Sequence, residues 1–415
     1  MVLSSLNYVR MIMAYALIKR IFHFPKANLT ITCLETLMDT LLARKTKREF
    51  GQSSNGSRFY CPELDVLRFF AFFSVFLFHS VLFAAKKWMP IVVALQLGMC
   101  LFFVLSSYLI TELLSKEKLS TGRIHTQAFF MRRILRIWPL YFACLAVAYL
   151  NGWVDKNVHV SAQWLAAFVL LFGNWYTVLF GHISSPWSPL WSINLEEQFY
   201  FLWPFLAKLK KQWLLSASLC TFPIAWIAIA VCSPETKGPT STSIWYNSFV
   251  QFQFFGVGSL LSLVLKGQAP SWSMAKRFGF AALSLSSFLF TGILFVWAKP
   301  STLLTAVGYG VTAVGCASLL FCLLGLPGRK IPKFLIDLGK MSYGLYVFHL
   351  PVQFYVSTLV WQAFPTSSRL QNTLLVIAIS LLITVAVAKL SYKYFEKPFL
   401  KIKERFEFVR SREAS

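Results

Sequence analysis

Long apolar runs, broken by short segments rich in Lys and Arg, are the dominant pattern from residue 60 onward. They fall at about 67–85, 91–112, 138–151, 195–207, 213–232, 246–265, 279–298, 302–324, 341–361 and 370–392. At 1.5 Å per residue, about twenty apolar residues cross the roughly 30 Å hydrocarbon core of a bilayer. The pattern therefore predicts an all-α membrane protein, a single bundle of about ten transmembrane helices. One further run, Ala162 to Phe180, does not fit as a crossing, and Gly173-Asn174 interrupts it at its middle. Counting it as a span would put Lys208, Lys210 and Lys211 on the wrong face. A re-entrant or outer-surface element near 162–180 instead brings every later basic cluster to one side: 208–211, 266–277, 329–340 and 389–405. Basic loops mark the cytoplasmic face, so both termini are expected there.

Composition agrees with that class. Of 415 residues 57% are hydrophobic and only 13% charged, and the mean hydropathy is +0.60. Forty Lys and Arg against sixteen Asp and Glu give a formal +24. Because the cations sit in short segments between apolar runs, the excess fits membrane orientation and anionic ligands, with no nucleic-acid partner. The eight cysteines have neither metal-ligand nor disulfide spacing, and no metal is expected. Residues 1–60 read as an N-terminal extension in which Met11–Phe24, interrupted by Lys19 and Arg20, is neither a signal peptide nor a span. Residues 61–400 form the membrane domain, and 401–415 a basic cytoplasmic tail.

Within the apolar runs a few polar residues need a reason. In Leu64–Ser80, eleven residues separate Arg68 from His79, which returns the side chain to within roughly 20° of the same helix face about 16 Å further along. Asp65 joins that stripe one turn earlier. Charged groups inside a membrane helix usually face a cavity, although an interfacial Asp–Arg pair beside an unrelated buried His would give the same spacing. Arg132, Arg133 and Arg136 lie before Trp138-Pro139 and present guanidinium forks suited to phosphate oxygens, or simply anchor the inner face. Glu196 and Tyr200, four apart and expected at the outer edge, could bind a sugar hydroxyl, pair with Arg or favour a helix start. Ser342, Tyr346, His349 and Gln353 share one face and are expected to line a cavity, with His349 bonded to a carbonyl freed by Pro351 as the plain reading.

Taken together, these stretches resemble the acyltransferase-3 family of integral membrane acyltransferases over roughly residues 60–400. The motifs are Leu64-Asp65-x-x-Arg68 with His79, Phe102–Ser106, Arg133-x-x-Arg136 with Trp138-Pro139, Trp191-Ser192 through Glu196 to Pro204, Ser342-Tyr343 through His349 to Pro351, and Glu396-Lys397-Pro398. Ser107 departs from the glycine usual in the family, which concerns helix packing more than chemistry. The resemblance implies ten spans, no bound cofactor and a cytoplasmic acyl-CoA donor, commonly acetyl-CoA. It implies a carbohydrate or lipid-linked glycan acceptor, and a bacterial inner membrane as the location. Carried over by position, Arg68 and His79 would be the catalytic pair, with Asp65 fixing Arg68. Arg133 and Arg136, with neighbouring Arg132, would bind the donor, and Glu196 would be the acid of its motif.

Acyl transfer to a hydroxyl needs a base, charge stabilisation and an oriented site. His79 is the candidate base, or an acyl carrier; the sequence leaves both open. A transporter or flippase for a lipid-linked sugar would use the same intramembrane charges without covalent chemistry. So would a noncatalytic membrane partner that retains them for structure.

Overall fold

The computed structural model describes residues 60–80, 88–155, 160–181, 185–326 and 331–409. The extension at 1–60 apart from Tyr60, the end of the tail at 410–415, and His23, His159 and His182 lie outside the described residues. Among the described residues there is no strand. The principal helices are α1 (Pro62–Ser80), α2 (Met89–Gln96), α3 (Gly98–Thr121), α4 (Thr126–Val154), α5 (Ala162–Val169), α6 (Gly173–Phe180), α7 (Trp191–Ala207) and α8 (Lys211–Val231). They continue with α9 (Ser248–Leu265), α10 (Met274–Trp297), α11 (Thr302–Leu323), α12 (Lys333–Lys340), α13 (Ser342–Ala363), α14 (Arg369–Leu390) and α15 (Lys397–Lys403).

Among the described residues seven helical stretches are long and apolar enough to cross a membrane: α2 with α3, α4, α8, α9, α10, α11, and α14 continued to Phe406. The chain is an integral membrane protein. Three of the expected crossings fall outside these seven, for visible reasons. Helix α1 carries Glu63, Asp65 and Arg68, α7 has 17 residues, and α13 holds Ser342, His349 and Gln353. These are also the helices that build the site.

The 162–180 run divides into two eight-residue helices, α5 and α6, joined through Leu171, whose φ is +63°. The break exposes backbone groups that hydrocarbon could not satisfy, and α7 supplies their partners. Gly173 N–H donates to Asn194 Oδ1 at 2.7 Å, Asn194 Nδ2 donates to Tyr141 Oη at 2.6 Å, and Tyr141 donates to Phe168 O at 2.7 Å. Gln198 Nε2 donates to Leu171 O at 2.9 Å and to Asn174 Oδ1 at 2.8 Å, while Ser248 donates back to Gln198 Oε1 at 2.6 Å. The polar run Asn194–Gln198 thus has a structural task beside any chemical one.

Two close helix contacts depend on small residues. A Cβ on Gly339 of α12 would collide with the Asp65 carbonyl, and one on Gly258 of α9 would collide with Ser107 Oγ and Val104 O. Where α3 carries Ser107, the partner helix therefore supplies the small residue that lets the pair approach. At its far end α14 passes through a π-helical segment, Ser391–Glu396, into α15. A π turn is where a chain absorbs an extra residue, and it stands just before Pro398, which has no N–H to offer. The tail then folds back on α4. Phe406 O accepts from Arg132 Nη1 at 2.7 Å, and Phe408 stacks on His125 with ring centroids 4.0 Å apart.

Candidate active site

Two cavities lie toward opposite ends of α1. The first, of about 160 Å³, is lined by Asp65 and Arg68 of α1, Ser106 of α3, Arg132, Arg133 and Arg136 of α4, Glu196 and Tyr200 of α7, Ser342 and Tyr343 of α13, and Lys403 and Glu407. The second is open and about 1410 Å³. His79, Ser80, Gln353 and the indoles Trp88, Trp191, Trp245 and Trp361 line it. Met99 and Tyr346 border both cavities.

In the first cavity the three arginines have different environments. Arg132 is committed: Nη2 donates to Glu117 Oε2 at 2.8 Å and Nη1 to Phe406 O. Arg133 Nε is buried without a hydrogen-bond partner. Its guanidinium carbon sits 5.4 Å from the Tyr200 ring centroid and 5.6 Å from that of Phe129, so flanking rings hold the fork while leaving donor capacity. Arg136 makes no ion pair among the described residues. Arg68 Nη1 bonds Asp65 Oδ1 at 3.2 Å, and Tyr60 Oη donates to Asp65 Oδ2 at 3.1 Å. Asp65, 1% exposed, fixes Arg68 as expected from their spacing. Tyr200 Oη donates to Glu196. Glu196, in the second turn of α7, lines the arginine cavity.

Arg68 and His79, read from sequence as a catalytic pair on one stripe of α1, line different cavities. A shared stripe along a helix still leaves about 16 Å of axial distance. What His79 meets is His349 of α13: His349 Nε2 lies 3.2 Å from His79 Nδ1. His79 Nδ1 is also 2.9 Å from Val75 O, and His349 Nδ1 contacts Tyr346 O. His349 therefore bonds the Tyr346 carbonyl, not the one that Pro351 frees. Tyr346 Oη in turn lies 2.8 Å from Ser192 Oγ and donates to Pro189 O at 2.9 Å. Gln353 Nε2 donates to Ser80 Oγ at 2.7 Å and Phe76 O at 3.0 Å, fixing the end of α1.

Of the residues singled out from sequence, Asp65, Arg68, Arg132, Arg133, Arg136, Glu196, Tyr200, Ser342 and Tyr346 meet at the first cavity and His79 lines the second, whereas His349, expected to line a cavity, lines neither and is buried behind His79. Sequence reading missed Lys403 and Glu407, an ion pair four residues apart on the returning tail; that i,i+4 spacing was the only available signal. It missed Met99 too, which nothing distinguishes from other apolar helix residues. Among the described residues no group of three or more His, Cys, Asp or Glu could share a metal ion.

A membrane helix bundle with an arginine-lined cavity at one end of a polar helix and a histidine pair at the other defines the class. The chain belongs to the acyltransferase-3 family: residues 62–392 match its Acyltransferase domain. Among its relatives are O-acetyltransferase OatA of Staphylococcus aureus strain NCTC 8325, 25% identical over 370 residues, and the strain COL protein named "Putative O-acetyltransferase SACOL0978", 27% identical over 365. Each alignment covers 82% of this chain but only 57% and 58% of the relative, so the chain spans less than two thirds of their length. No solved structure matches.

Proposed function

We propose that this protein is a membrane O-acyltransferase that moves an acyl group, acetyl by preference, from cytoplasmic acyl-CoA to a hydroxyl of a surface or lipid-linked carbohydrate. In this reading the seven apolar helices together with α1, α7 and α13 make ten crossings, and α5–α6 form a re-entrant element. Both termini are cytoplasmic, and the membrane is the bacterial inner membrane. The family and the O-acetyltransferase names of its relatives support the reaction class.

The observation that carries the reading is the Met99–Tyr346 partition shared by the two cavities. Arg133 and Arg136, with Arg68 held by Asp65, offer donors to the diphosphate of the donor. In this reading the nucleotide binds among the arginines of the first cavity, and the narrow pantetheine arm passes inward between Met99 and Tyr346 toward His79. The acceptor enters from the other cavity, where indole faces suit sugar rings. His79 takes the hydroxyl proton as the oxygen attacks the thioester carbonyl. The tetrahedral intermediate collapses with cleavage of the C–S bond, and the thiolate recovers that proton from His79. Glu196 and Tyr200 order the arginines near the donor and take no part at the reacting carbon.

The test uses membrane vesicles from the native host, incubated with [14C]acetyl-CoA. Alkali-labile label should appear in the glycan fraction with the wild-type chain, and should be lost with His79→Ala and reduced with Arg133→Ala. Sugar translocation without CoA dependence, unchanged in His79→Ala, would overturn this reading in favour of a flippase.

A further inference from the structure

The His79–His349 contact joins residues 270 positions apart, and its hydrogens can be assigned from its neighbours. Carbonyl oxygens only accept. His349 Nδ1 is bonded to Tyr346 O, so that nitrogen carries hydrogen, and in the neutral ring Nε2 is then the acceptor. The atom facing that acceptor is His79 Nδ1, 3.2 Å away and also 2.9 Å from Val75 O. Val75 O and, in that tautomer, His349 Nε2 accept, so His79 Nδ1 carries hydrogen too. Neutral His79 is thereby left with its basic lone pair on Nε2.

We propose that His349 is a positioning residue for the transfer reaction: by accepting from His79 Nδ1–H beside Val75 O it holds the ring with Nε2 as the base, and it stabilises the resulting imidazolium after proton transfer. The proposal rests on the acyltransferase reading above and adds a residue that acts only through His79. Several features suit His349 to this part. It is 0% exposed, its ring is edge-on to Phe72 at 6.1 Å and lies 5.4 Å from Tyr346, and it therefore has little rotational freedom. With Nδ1 bonded to Tyr346 O, its Nε2 faces His79 as an acceptor. When His79 becomes an imidazolium, the same bond becomes charge-assisted and shortens. No proton need leave Nδ1 at any stage; the proton taken at Nε2 is the one returned to the CoA thiolate.

Two measurements on the full-length protein test this. The first is 15N NMR of histidine-labelled protein in detergent micelles, with signals assigned by His79→Gln and His349→Gln. Wild-type His79 should show a protonated Nδ1 and an unprotonated Nε2, and in His349→Leu, where Val75 O still accepts, the tautomer should persist while the Nδ1 signal shifts. A wild-type His79 carrying its hydrogen on Nε2 would overturn the proposal. The second is the kinetics of [14C]acetyl-CoA transfer in host vesicles. His349→Leu should lower kcat about 10- to 100-fold, below the full effect of a lost general base, with the donor KM unchanged within twofold. His349→Gln, whose Oε1 can accept the same hydrogen, should restore most of the rate. Equal losses in the Leu and Gln variants, or full activity in His349→Leu, would overturn the positioning role while leaving the base intact. Retained transfer in His79→Ala would instead sink the catalytic reading on which it rests.

Discussion

Tyr346 and Ser192 meet with their hydroxyl oxygens 2.8 Å apart, bridging α13 and α7 at the wall between the two cavities. Because Tyr346 also donates to Pro189 O, its ring is held by two elements as well as by its own helix. Tyr346→Ala should open the wall and admit water to the thioester. The expected outcome is a lower ratio of acyl transfer to acetyl-CoA hydrolysis, measured as glycan-bound label against free acetate. Tyr346→Phe keeps the ring and should preserve the ratio, while losing about 1 kcal/mol of stability with its hydrogen bonds.

Adjacent arginines should behave oppositely. Arg132 neutralises Glu117, which is 2% exposed, and Arg132→Ala leaves that carboxylate buried beside only His125, whose backbone N–H donates to it at 2.8 Å. A loss of about 3 kcal/mol in thermal unfolding in detergent is expected. Arg133→Ala removes a cation whose Nε has no protein partner. It should leave the unfolding midpoint nearly unchanged and raise the donor KM roughly 10- to 100-fold, the equivalent of about 1.5–3 kcal/mol for a charge-assisted contact.

At the α5–α6 break, Asn194 alone satisfies Gly173 N–H and reaches Tyr141. Asn194→Leu leaves both groups buried without these partners. We expect about 2–4 kcal/mol of destabilisation, read as a lower unfolding midpoint, and cysteine accessibility labelling near residues 171–173 should increase.

Gly339→Ala places a methyl group against the Asp65 carbonyl. The helices cannot approach as closely, and overpacking of this kind typically costs about 1–3 kcal/mol. Since Asp65 holds Arg68, the donor KM should rise in the same variant, whereas Gly279→Ala, where a Cβ meets nothing, should change neither quantity.

Some of this was legible in the chain. Apolar runs, the Gly173-Asn174 interruption and the Asp65–Arg68 spacing are local features. A helix turns about 100° per residue whatever it packs against, so i,i+3 and i,i+4 neighbours can be read from order alone. The four residues Ser342, Tyr346, His349 and Gln353 were placed on one face for that reason, and all four are buried there. Periodicity fixes angle around an axis, however, and says less about which cavity lies at each depth. That is why Arg68 and His79 share a stripe yet line different cavities.

By itself, then, the sequence determined a basic, many-helix membrane protein with polar residues concentrated on α1, α4, α7 and α13, because hydropathy and helical period are properties of short stretches. Only the tertiary structure decided that Arg132 is bound to Glu117 while Arg133 keeps donor capacity, that His349 meets His79, and that Met99 and Tyr346 stand between two cavities. Those outcomes depend on how far one helix slides along another and on which rotamer the contact selects, and both are set by residues on other helices, for His79 and His349 270 positions apart.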